Sequence, residues 1–77
     1  MKITGTKSYI IVELNGKCIK IEGELTQTSI FYADESSINY WEFDNERIYL
    51  TDEEKLELIE LIIHESGKKG NIKIIFD

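Results

Sequence analysis

Glu57, Glu60 and His64 follow one another at spacings of three and four. On a helix all three side chains would share one face, an arrangement that can supply two or three metal ligands. A small metal-dependent hydrolase is the chemistry such a trio would serve. The pattern is not HExxH, and the chain has one His and one Cys, too few to complete a zinc sphere with nitrogen and sulfur donors. The simpler reading is a solvated face on which Glu60 pairs weakly with a protonated His64. The stretch "DNERIYLTDEE" offers many oxygen donors but lacks the alternating Asp/Asn spacing and central Gly of a calcium loop. Ser36 and Ser37 stand in a turn-like "DESS", where small hydroxyls are expected on conformational grounds. Cys18 has no second thiol and is read as a small strand hydrophobe. With no nucleophile–base set in view, no enzyme, cofactor or metal is expected.

Charge points to a surface. The net charge of −6 opposes general nucleic-acid binding, which depends on neutralising phosphates. Residues 34–65 hold eleven acids against Arg47 and Lys55, a net −9, while the flanking segments are weakly positive. Such a block repels itself, speeds encounter with a cationic partner and gives folding nothing. The only tryptophan lies inside it. Trp41 has two uses: closing the core beside a helix start, with Phe43 beneath the acids, or standing as an exposed anchor. The core is the better use of the ring, with the acids facing outward. The expected partner surface comprises Trp41, Glu42, Asp44, Glu46, Asp52 and Glu53.

These residues are carried by readable elements. "SYIIVEL" alternates Ile10, Val12 and Leu14 against Tyr9, Ile11 and Glu13, a strand pattern, and Asn15-Gly16 suits the two positive-φ positions of a hairpin turn. "KCIKIEGEL" returns with Ile19, Ile21 and Leu25 on one face and Lys20, Glu22 and Glu24 on a face open to water. "TSIFYAD" and "SINYWEF" read as third and fourth strands joined through "DESS". Thr51 and Glu54 match a capping box, with Asp52 and Glu53 at the positive end of the helix dipole. Leu56, Ile59, Ile62 and Ile63 form the expected core stripe, widened by Leu58 and Leu61, and Gly67 is placed as the C-terminal cap. Behind Gly70, "NIKIIFD" reads as the last strand, with Ile72, Ile74 and Phe76 on one face.

The order β-β-β-β-α-β predicts a single α+β domain over residues 1–77. Its architecture would be one antiparallel sheet of about five strands, with one amphipathic helix packed on one face. The longest apolar run is four residues, far below the ~20 that cross a bilayer, and no apolar stretch has the length expected of a signal peptide. With a lone cysteine, a reduced cytoplasmic protein with no membrane contact is expected. Monomer and weak homodimer both fit the free sheet edges.

The opening "MKITGTKSYIIVELNGKCIKIEGEL", the central Trp41-Glu42 and the helix "LTDEEKLELIELI" resemble, over almost the whole chain, a small α+β family. It is an immunity-protein family of bacterial polymorphic-toxin systems. The resemblance implies a protein that binds and inhibits the toxin domain encoded beside it, and carries Trp41 and Glu42 over as motif residues. It also implies an inhibitor acting by occlusion, whose partner, often a nuclease or other basic domain, an acidic surface would complement. The alternative from charge alone is a DNA mimic that occupies nucleic-acid-binding proteins.

Overall fold

The computed structural model describes residues 1–69 and 72–77. Its strands are β1 (Lys2–Gly5), β2 (Tyr9–Leu14), β3 (Lys17–Leu25), β4 (Ile30–Ala33), β5 (Tyr40–Phe43), β6 (Glu46–Tyr49) and β7 (Lys73–Phe76). The helix α1 (Asp52–Lys69) lies between β6 and β7, and a single 3-10 turn, Glu35–Ser37, separates β4 from β5. The class is α+β, with one helix packed against a curled, mixed sheet. The start of the last strand expected at Asn71, behind Gly70, lies outside the described residues.

The core is built by alternation. Ile10 and Val12 of β2, Ile19 and Ile21 of β3, Phe31 and Ala33 of β4, Trp41 of β5 and Ile74 of β7 are all buried. Each shares its strand with neighbours turned to the opposite face, because successive side chains of a strand alternate. Leu58, Ile59 and Ile62 close this face from α1, and Ile38 fills the link between β4 and β5. Full burial of such side chains contributes roughly 1.5–3 kcal/mol each.

The hairpin between β2 and β3 forms as read: Asn15 and Gly16 both take positive φ, 51° and 81°. The register pairs Ile10 with Ile21 and Val12 with Ile19, so the two apolar sets meet on one face. Gly23 lets β3 pass close beneath β4. A β-carbon there would run into the Tyr32 carbonyl oxygen and stand 2.6 Å from Phe31 Cε1.

The sheet departs from expectation in strand number and direction. Seven strands are present among the described residues, in the order β1-β2-β3-β4-β7, with β5 joining β3 and β6 joining β5. β7 takes the edge beside β4 and runs parallel to it, pairing Phe31 with Ile74 and Ala33 with Phe76. A parallel neighbour is possible because the chain between β4 and β7 crosses over through the hairpin and the helix. β1 and β6 escape a period-2 reading because they bury almost nothing; every residue of β6 is exposed.

The helix also differs in its ends and its stripe. It runs on through Gly67 to Lys69, so Gly67 is an interior residue and not the cap. Leu56, Leu61 and Ile63 are exposed, and the buried face is Leu58, Ile59 and Ile62. "SINYWEF" contributes only Tyr40–Phe43 as strand, since Asp34 caps the 3-10 turn ahead of it by accepting a hydrogen bond from the Ser36 N–H at 3.0 Å.

Candidate interaction surface

The β5–β6 hairpin places most of the residues in question. Its turn is Asp44-Asn45, both at positive φ (50° and 64°), a conformation that short polar side chains tolerate. Register pairs Tyr40 with Tyr49, Trp41 with Ile48, Glu42 with Arg47 and Phe43 with Glu46. Because Trp41 is buried, Ile48, Phe43 and Glu46 belong to its side of the hairpin, and Tyr40, Glu42, Arg47 and Tyr49 to the open side.

Trp41 is a core residue at 6% exposure, with the Lys17 ammonium 5.0 Å from its ring centroid. Glu42, Asp44, Glu46, Asp52 and Glu53 are all exposed. Phe43 does not close the core. At the hairpin end it is 46% exposed, its ring packed toward the Gly16 turn. The two hairpin turns therefore lie at one end of the sheet.

The helix start is fixed by a reciprocal cap. Glu54 N–H donates to Thr51 Oγ1 at 3.2 Å, and Thr51 N–H donates to Glu54 Oε1 at 2.9 Å. The backbone hydrogen bond from Thr51 is the main reason the Glu54 carboxyl titrates below its ordinary value, with Lys17 adding a smaller pull. Lys17 thus connects Trp41 to the helix start.

Glu42 stands apart from the other acids, on the open face. It shares with Glu22 and Asp34 a polar cleft of about 470 Å³ that Lys20 and Tyr40 also line. Glu57, Glu60 and His64 are exposed on the outer helix face, and no group of three metal-ligating side chains forms among the described residues. No described helix is long and apolar enough to cross a membrane.

One cluster was not singled out by the sequence reading. The Tyr40 and Tyr49 rings lie 5.4 Å apart at 57°, and the Arg47 guanidinium sits 4.8 Å from the Tyr40 centroid. A hydrogen bond to Tyr49, then the neighbouring Tyr40 and Glu42, hold Arg47 above its usual range. The Asp44-Asn45 dipeptide between two aromatic runs was the available clue, since it marks a turn that brings Tyr40 opposite Tyr49.

Compared with known families, residues 2–77 match the model of the family described as Immunity protein 74. The chain belongs to that immunity-protein family. The match spans the sheet, the hairpin and the helix together. No curated protein and no solved structure matches the chain.

Proposed function

We propose that this immunity protein acts by binding a cognate toxin domain and covering its working surface, with no chemistry of its own. The observation that carries the reading is the exposure of Glu42, Asp44, Glu46, Asp52 and Glu53 on a chain already assigned to an immunity family. Carboxylates held in water on a folded support keep their charge for a partner, and a one-signed field raises the encounter rate with a basic domain. Trp41 serves this surface from behind, fixing β5 so that Glu42 and the hairpin turn have a defined place. The acidic-walled cleft beside Glu42 has room for a lysine or arginine side chain of the partner. The proposed place of action is the cytoplasm of the producing cell.

The test is titration calorimetry of this chain against the polypeptide encoded by the neighbouring gene. One-to-one binding that weakens steeply with salt is expected, and Glu42→Lys, Asp44→Lys and Glu46→Lys together should weaken it at least tenfold. Unchanged affinity in the triple variant would remove the acidic surface from the proposal. Duplex DNA in excess should leave the complex intact; competition by DNA would favour mimicry of a phosphate track.

A further inference from the structure

The β5–β6 hairpin has more than charge to offer. Among the described residues, strand pairing ties β6 to β5 alone, so its outer edge is open, and all four of its residues are exposed. Open edges are normally short, charged or covered, because unpaired N–H and C=O groups invite another chain. This one instead carries Ile48 at 44% exposure and Tyr49 at 65%, with Phe43 beside them at 46%. On its open side Tyr40, Arg47 and Tyr49 hold one another in a fixed arrangement. Arg47 is the only arginine of the chain.

Tyrosine and arginine dominate binding hot spots because they offer large contact area and directional hydrogen bonds while losing little freedom when already ordered. None of the three folds the core: Tyr49 and Arg47 are exposed and Tyr40 is half-buried. Glu42 shares their face, Asp44 stands in the hairpin turn and Glu46 projects from the other face; these exposed acids form the charged rim that a basic partner would meet first.

We infer that the Tyr40–Arg47–Tyr49 face of the β5–β6 hairpin is the anchor on which a basic toxin domain seats, with the acids acting as steering groups around it. The inference rests on the toxin-binding reading and divides its labour. The rim governs how fast the partner arrives, since exposed charges act at long range and are screened by salt. The aromatic–guanidinium cluster governs how long the partner stays, since close packing is felt only after docking. The basic character of the occupant follows from the net −9 of residues 34–65.

Association kinetics separate the two roles. The probe is the polypeptide encoded by the neighbouring gene, immobilised, with wild-type chain, Tyr49→Ala, Arg47→Ala, Tyr49→Phe and the triple acid-to-lysine variant in the mobile phase. Tyr49→Ala and Arg47→Ala should each dissociate about 30-fold faster with an association rate within twofold of wild type. Tyr49→Phe, which keeps the ring and loses only the hydroxyl, should fall between. The triple variant should associate at least tenfold more slowly. Circular dichroism and melting of each variant check for an intact fold; because the substituted side chains are exposed, unchanged melting is expected of the single variants, and unchanged or raised melting of the triple variant, which relieves like-charge repulsion. Wild-type dissociation rates in both alanine variants would overturn the anchor while leaving toxin binding in place. A wild-type chain that does not bind the probe at all would overturn the underlying reading, and the anchor with it.

Discussion

Trp41 and Glu42 are chain neighbours that part company in the fold, because adjacent strand residues point to opposite faces. The ring enters the core beneath the Lys17 ammonium, and the carboxylate enters the polar cleft of the open face. Trp41→Ala is expected to cost about 3–5 kcal/mol, the range for deleting a buried aromatic side chain. Small domains have only about 5–15 kcal/mol in total, so the variant should be largely unfolded in mild urea. Glu42→Ala should leave the urea midpoint where it is; a large shift would mean that Glu42 holds the sheet together. Glu54 gives a second residue-scale outcome. Its folded carboxyl titrates below the ordinary 4.5 because the Thr51 N–H favours the charged form. The folded state therefore binds this proton less readily than the unfolded chain. The cap's contribution is present above about pH 4.5 and is lost as pH falls through the lowered folded value. Urea midpoints of wild type and Glu54→Gln should differ at pH 7 and converge on acidification below 4.5. A gap that persists at pH 2 would show that the stabilisation does not depend on the carboxylate.

At the scale of elements, the helix shows how a face is chosen. Leu56, Ile59, Ile62 and Ile63 satisfy a helical stripe on paper, yet the sheet is met by Leu58, Ile59 and Ile62. At 100° per residue those three span a narrow arc, while Leu56 and Ile63 fall outside it, toward water. Leu58→Ala and Ile62→Ala should each cost about 2–5 kcal/mol, whereas Leu56→Ala and Ile63→Ala should stay within about 0.5 kcal/mol. Chemical denaturation of the four variants checks this, and equal losses would return the core to the broader stripe. The same comparison marks what the sequence could disclose. Strands with one buried face, such as β2 and β3, were legible because burial imposes alternation, and the capping box was legible because its two hydrogen bonds are local. β1 and β6 were not, since an exposed strand has no reason to alternate. The parallel pairing of β4 with β7 was hidden for another reason: a partner distant in the chain leaves no mark on local spacing. In the proposed interaction surface, acid exposure and Trp41 burial were readable from residue type, but the Tyr40–Arg47–Tyr49 cluster exists only once β6 folds back along β5.

The whole molecule is a small body, 35 by 22 by 22 Å, with its excess negative charge gathered on the hairpin and the helix. At 0.01 M salt the Debye length is about 30 Å, so these charges act on one another across the entire protein; at 0.1 M it is about 10 Å and only near neighbours remain coupled. Like charges held together in the folded state separate on unfolding, so self-repulsion lowers stability at low salt. Raising salt from 0.01 to 0.1 M at pH 7 should therefore raise the melting temperature of the free chain. On the proposed function the complex should respond in the opposite sense, because the same charges would attract a basic partner and screening would weaken that attraction. A single salt series, read by thermal melting for the free chain and by calorimetry for the complex, should give slopes of opposite sign. A melting temperature that falls over this range would mean that attractive pairs outweigh the repulsion. The acidic block would then be part of what folds the protein, leaving less of it to act on a toxin.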